Sequence, residues 1–129
     1  MDVQQIRVPT LLIIDDEAGW RSLYRFELEG DYQILEAGEG LEAMALLQTV
    51  QPDLIILDLM MPGMNGFTFL QELEQRETNI PVILSTAVPL GEDPCYLMGH
   101  QAVAKSTKLK ALRYAIERAL ERSAQGQPA

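Results

Sequence analysis

Apolar positions along the chain gather into five short runs separated by segments of helical length. The runs are "TLLIID" (10–15), "YQILEA" (32–37), "DLIILD" (53–58), "PVILST" (81–86) and "AVA" (102–104). Each has the length and the aliphatic content of a strand. After the first run, Trp20, Leu23, Tyr24 and Leu28 recur at helical spacing, and Leu109, Leu112, Ile116, Ala119 and Leu120 do so in the last segment. Each stripe would cover one face of a sheet. Near-continuous Ile, Leu and Val in the first, third and fourth runs suit central parallel strands covered on both faces, whereas the more mixed second run suits an edge. The alternation predicts a doubly wound α/β domain with a five-stranded parallel sheet and right-handed crossovers. Between residues 87 and 100 the pattern weakens. Pro89, Gly91 and Pro94 lie close together there, so the fourth helix is expected to be short or irregular, running from about Pro94 to before Gly99.

A chain of 129 residues is most simply one domain and can bury a core without disulfides or a structural metal. No apolar run approaches the roughly 18 residues of a membrane-spanning helix. The start "MDVQQIRVP" has neither the basic opening nor the apolar run of a signal peptide. The expectation is a cytoplasmic protein without membrane contact. Cys95 is the single cysteine and reads as a small residue that the fold tolerates. A formal charge of −9 argues against a nucleic-acid surface spread over the domain. Six of the ten basic residues, Lys105, Lys108, Lys110, Arg113, Arg118 and Arg122, fall in the last helical stretch. They are either a solvated face whose cations suit the helix carboxyl end or a docking face for an acidic partner.

Polar groups close several of the strands. The first ends on Asp15 and Asp16 with Glu17 following, the third on Asp58, the fourth on Ser85 and Thr86, and the fifth runs into Lys105. Open parallel sheets bind ligands outside the carboxyl ends of their strands, where the strand order reverses, so these residues are expected to converge. Two carboxylates about 4 Å apart repel by roughly 4 kcal/mol at an effective dielectric of about 20. A hard divalent cation relieves that repulsion, and Mg²⁺ is the usual choice beside a phosphate. Lys105 and Thr86 offer a positive donor and a hydroxyl to phosphoryl oxygens, which leaves Asp58 as a candidate nucleophile. Taken singly, each residue has an ordinary reading: Asp-Asp as a helix cap, Thr86 as a strand residue, Lys105 as a surface cation. Gly63 and Gly66 are turn and helix-entry residues on either reading.

In their order and spacing, "IIDDE", "LDLMMPGMNG", "VILSTA" and the later isolated lysine resemble the receiver domain of two-component response regulators, over about residues 8 to 122. The resemblance implies a flavodoxin-like sheet of strand order 2-1-3-4-5 over residues 1–123, with 124–129 as a polar tail or the start of a linker. It implies that Asp58 accepts a phosphoryl group from a sensor histidine kinase, a phosphotransfer protein or a small phosphodonor. Asp16 and Asp58 would ligate Mg²⁺ (or Mn²⁺) directly, Asp15 mainly through water, and the Met60 carbonyl would complete the protein ligands. Thr86 and Lys105 would hold the phosphoryl oxygens, and Ala87 would leave room for the group to enter. On this reading the chain is a phosphoacceptor that assists its own phosphorylation, not a turnover enzyme. It would be a monomer or weak dimer without direct nucleic-acid contact, acting on a protein partner that the sequence does not name.

The chain departs from that family in three places. Ser106 follows the lysine where the family usually has a cis proline, and a cis bond to serine would cost about 3–4 kcal/mol. Ala102 stands where an aromatic ring commonly turns inward, with His100 nearby as either a substitute or a loop residue. The proline-containing segment 89–98 occupies a region that many receivers use to dimerise. These departures leave open a degenerate receiver that acts as a constitutive interaction module. A flavodoxin-like cofactor carrier would want a glycine- and hydroxyl-rich phosphate loop where "DDEAGW" places three carboxylates. A metal-dependent phosphohydrolase would want a second acid/base residue. The resemblance also places Met60 and Val88 along the path of hydrolytic water. Neither side chain can orient a water by hydrogen bonding, so the phosphoaspartate is expected to be long-lived. Following phosphate loss from the isolated protein checks this, and rapid loss that removal of Mg²⁺ does not slow would contradict it.

Overall fold

The computed structural model of the chain describes residues 7–59, 61, 65–86 and 101–124, with Thr86 described in its backbone alone. Met60, Ala87, Val88, the segment 89–98, His100 and residues 125–129 lie outside the described residues, and so does the short helix expected near Pro94.

Nine elements follow one another among the described residues. They are β1 (Thr10–Ile14), α1 (Ala18–Leu28), β2 (Gln33–Ala37), α2 (Gly40–Leu46), β3 (Leu54–Leu57), α3 (Gly66–Gln75), β4 (Val82–Thr86), β5 (Gln101–Ala104) and α4 (Lys110–Ala124). The strands form one parallel sheet in the order β2-β1-β3-β4-β5. This is the flavodoxin-like arrangement, and the strand bounds agree with the sequence pattern to within a residue at either end.

Burial follows from position in that order. Every residue of β3 is buried, as are four of the five in β1, whereas the edge strands β2 and β5 are more open. Side chains alternate between two helical layers. Leu12, Ile14, Ile55, Leu57, Val82 and Leu84 pack with Met44 of α2 and Phe69, Leu70 and Leu73 of α3. Leu11, Ile13, Leu54, Ile56 and Ile83 pack with Tyr24 and Leu28 of α1 and Leu112, Ile116 and Ala119 of α4. Two layers on one sheet explain why the central strands read as continuous aliphatic runs rather than as alternating ones.

Side-chain hydrogen bonds hold the element ends. At the amino edge of the sheet, Asp53 accepts from the Thr10 N–H at 2.7 Å and from Arg7 at 2.8 Å, which ties the start of β1 to the residue before β3. Asn65 caps α3 by accepting from the Thr68 N–H at 2.9 Å. The last helix carries fewer unattached cations than the sequence suggested. Lys105 and Lys108 precede it, and Arg113 is bonded to Asp31 and to the Glu27 carbonyl. Among the described residues no helix is long and apolar enough to cross a membrane.

Gly66 opens α3 at a close approach of two backbones. Its N–H donates to the Leu59 carbonyl at 3.0 Å, and a Cβ there would stand 2.5 Å from Leu59 Cα and 3.0 Å from the Asp58 carbonyl oxygen. Relief would require backbone movement next to Asp58. Gly66→Ala is therefore expected to lower stability by about 1–3 kcal/mol. Urea unfolding measures this, and an unchanged midpoint would show that the turn relaxes without strain.

Candidate functional site

Two aspartates extend the ladder just past the ends of their strands. The Asp15 N–H donates to the Ala37 carbonyl at 3.1 Å, and the Asp58 N–H donates to the Ile14 carbonyl at 2.9 Å. Because β1 and β3 are neighbours, these bonds set the two carboxylates side by side at the carboxyl edge of the sheet. Both are buried, at 1% and 4% exposure.

Lys105 follows β5 at the far edge, and its side chain reaches back across the end of β4. The Nζ lies 2.8 Å from Asp15 Oδ2, 3.4 Å from Asp58 Oδ2 and 3.8 Å from Glu17 Oε1. It donates a hydrogen bond to Asp58. Its approach to Asp15 Oδ2 falls outside hydrogen-bonding geometry, so charge holds that pair. The Lys105 side chain is 3% exposed, which excludes its reading as an ordinary surface cation. Burial pulls the pKa of the ammonium down, but the contact with Asp15 and the charges of Asp15 and Asp58 outweigh it, so the net shift is upward. The lysine reaches this position with Ser106 after it, and no cis peptide bond occurs among the described residues.

Asp15 does two jobs. Its Oδ1 accepts from the Glu17 N–H at 2.9 Å in a local turn before α1, and its Oδ2 faces the ammonium. The helix-cap reading of Asp-Asp is not realised: the cap position of α1 is Glu17, no side chain caps the helix, and Asp15 Oδ1 bonds to the N–H of the cap residue itself. Arg21 fixes the same turn by donating to the Asp15 carbonyl at 2.6 Å while its Nε donates to Glu36 at 3.1 Å. Glu36 also accepts from Arg25 at 2.6 Å, and this bond is the main reason that its carboxyl lies below its ordinary pKa.

Asp15, Asp16 and Glu17 bring carboxylate oxygens within 4.8 Å of one another. Asp16 and Glu17 are exposed, and Asp58, which is not in that group, meets the same ammonium at 3.4 Å. A buried Asp15 oxygen that takes no hydrogen bond, beside two further carboxylates, is the oxygen-only donor set that suits a hard divalent cation. Thr86 ends β4. Its side chain, with Met60, Ala87 and Val88, lies outside the described residues.

Several neighbours of the site carried no functional signal in the sequence. Tyr24 Oη and Ser85 Oγ are 2.8 Å apart in a buried pair. Burial is the main cause that raises the Tyr24 pKa, while Ser85 and Lys105 oppose the rise. The Lys105 ammonium also lies over the Trp20 ring at 5.1 Å. Trp20 and Tyr24 read simply as part of an apolar stripe, and only Ser85, as a polar strand end, gave a hint.

Removing the shared cation would leave Asp15 and Asp58 buried against each other. Lys105→Met is expected to lower stability by about 3–5 kcal/mol at neutral pH. Urea unfolding reads this directly, and a variant as stable as the native chain would mean that the carboxylates tolerate one another without it.

The model of the response regulator receiver domain matches residues 11–117. The chain is 42% identical over 84 residues to the DNA-binding dual master transcriptional regulator RpaA of Synechocystis, which covers 63% of this chain and 35% of that protein. It is 40% identical over 79 residues to sporulation initiation phosphotransferase F of Bacillus subtilis, covering 60% of this chain and 63% of the relative. It spans only about a third of the length of RpaA and of the probable transcriptional regulators ycf27 of Porphyridium aerugineum and Cyanophora paradoxa, which it also matches. Among solved structures, response regulator TrrA of Thermotoga maritima in complex with Mg(2+)-BeF aligns with a TM-score of 0.79 at 30% identity, covering 86% of this chain and 98% of that one. A Francisella receiver domain aligns at 0.81 and 25% identity, covering 89% and 98%. With the family's model matched over residues 11–117 and the strands in the order β2-β1-β3-β4-β5, the chain belongs to the receiver domains of response regulators, the family of two-component signal transduction.

Proposed function

We propose that Asp58 is the phosphoacceptor of this receiver domain, with Lys105 as the cation that receives the phosphoryl oxygens. The observation that carries this reading is the sharing of one buried ammonium by Asp58 and Asp15 at adjacent strand ends. A phosphoryl group carried on Asp58 would present negatively charged oxygens to Lys105, which already faces that carboxylate and would keep its charge there. Thr86 and Ala87 would be the remaining residues of the proposed phosphoryl site. Met60 and Val88 remain the proposed flanks of the water path.

Asp15, Asp16 and Asp58, with the Met60 carbonyl, are the residues that would hold Mg²⁺, and Mn²⁺ is a second hard cation of suitable chemistry. When bound, the ion supplies positive charge that offsets the carboxylates and the incoming phosphoryl oxygens. The chain's own part is to keep Asp15 and Asp58 buried side by side at the ends of β1 and β3. The donor would be the phosphohistidine of a sensor kinase or phosphotransfer protein, or a small acyl phosphate. A relative is named a sensor histidine kinase, and another a phosphotransferase. Signalling would proceed through protein contacts in the cytoplasm, from a monomer or weak dimer. For these residues the net charge of −9 supports the absence of direct nucleic-acid contact; DNA binding is named for RpaA and belongs to that longer protein.

Ala102 favours a second reading. It packs, partly buried, against the α2/α3 core, where a small methyl cannot swing as a ring would. A degenerate receiver working as a constitutive interaction module would have this feature. Intact-protein mass after incubation with acetyl phosphate, with and without Mg²⁺, separates the two. A gain of one phosphoryl group that needs Mg²⁺ and disappears in Asp58→Asn is expected. No gain with either acetyl phosphate or a cognate kinase would favour the constitutive module.

A further inference from the structure

Lys105 ends a long flexible side chain, and three carboxylates compete for it at 2.8, 3.4 and 3.8 Å. The third, Glu17, is 63% exposed and would draw the ammonium outward. Yet the Lys105 side chain stays 3% exposed. The group lying over it on the α1 side is the indole of Trp20, 5.1 Å from the ammonium. An aromatic face attracts a cation and sheds water from it, and a tryptophan face does so best.

Trp20 is itself braced. Its ring meets that of Tyr24, one helical turn along α1, at 5.9 Å and an interplanar angle of 41°. Tyr24 is held in turn by the Ser85 hydroxyl near the end of β4. A continuous set of contacts thus runs from β4 through two aromatic side chains of α1 to the lysine after β5. Tyr24 also buries the helix, but the partly buried Trp20 is not needed as an aromatic for that, because an aliphatic residue at position 20 would also cover that end of the sheet.

We propose that Trp20 is a positioning residue for Lys105, keeping the ammonium nearer to Asp15 and Asp58 than to Glu17, with the Tyr24–Ser85 pair as its brace. The inference rests on the reading of Asp58 as phosphoacceptor. A mispositioned ammonium would still be present but would meet the incoming phosphoryl oxygens less often, so the effect falls on the rate of phosphorylation.

Trp20 is the chain's single tryptophan, so its emission reports on its surroundings alone. Two measurements on the full chain test the proposal. The first compares tryptophan emission of the native protein and Lys105→Met without any phosphodonor. A changed spectrum is expected, and identical spectra would overturn the contact. The second follows phosphorylation by acetyl phosphate with Mg²⁺, by intact mass, in native protein, Trp20→Leu and Trp20→Phe. Leucine keeps apolar bulk without a π face and is expected to slow the reaction about fivefold, whereas phenylalanine restores it to within about twofold. Equal rates for leucine and tryptophan would overturn the inference while leaving the phosphoacceptor reading intact. So would equal slowing by leucine and phenylalanine, which marks a loss of packing. If the native chain takes up no phosphate, the phosphoacceptor reading falls, and the inference falls with it.

Discussion

One ammonium group held between two buried carboxylates is the constraint around which this molecule is arranged. Two aspartates at 1% and 4% exposure would be strongly unfavourable as neighbours without a cation. The strand order makes them neighbours, since β1 lies against β3 and each strand ends one residue before its aspartate. Lys105 arrives from two strands away, across the end of β4. Three of the five strands therefore contribute to one electrostatic balance, and the parallel sheet is what brings their ends to the same edge.

Much of this was legible in the sequence because it is local. Strand runs such as "DLIILD" announce themselves by length and aliphatic content, and their observed limits differ from the pattern by a residue at most. The sheet order had to come from family resemblance, because spacing does not say which strand lies beside which. The meeting of Asp15, Asp58 and Lys105 followed from the general rule that parallel strands present their carboxyl ends together.

What escaped the sequence depends on distant partners. Tyr24 and Ser85 are 61 positions apart, and nothing in the spacing of an apolar stripe distinguishes a tyrosine whose hydroxyl is bonded from one that merely fills space. The basic residues near the carboxyl terminus misled in the opposite direction. Counted along the chain they form one cluster, but Lys105 is withdrawn into the acid site and Arg113 is tied to Asp31 and Glu27, so the surface they present is smaller than their number suggests.

Helix α1 carries the deepest consequence. Tyr24 and Leu28 bury it against the sheet, while Trp20, Arg21 and Tyr24 reach the lysine, the Asp15 turn and the end of β4. In most α/β domains a helix cover can drift in sequence while the loops carry the chemistry. Here the inward face of one helix is committed to both tasks. Its outward positions, such as the 78% exposed Phe26, can vary without touching either. At Tyr24 the two tasks meet in one side chain, so a change there disturbs the packing of the helix and the contacts around the acid site together.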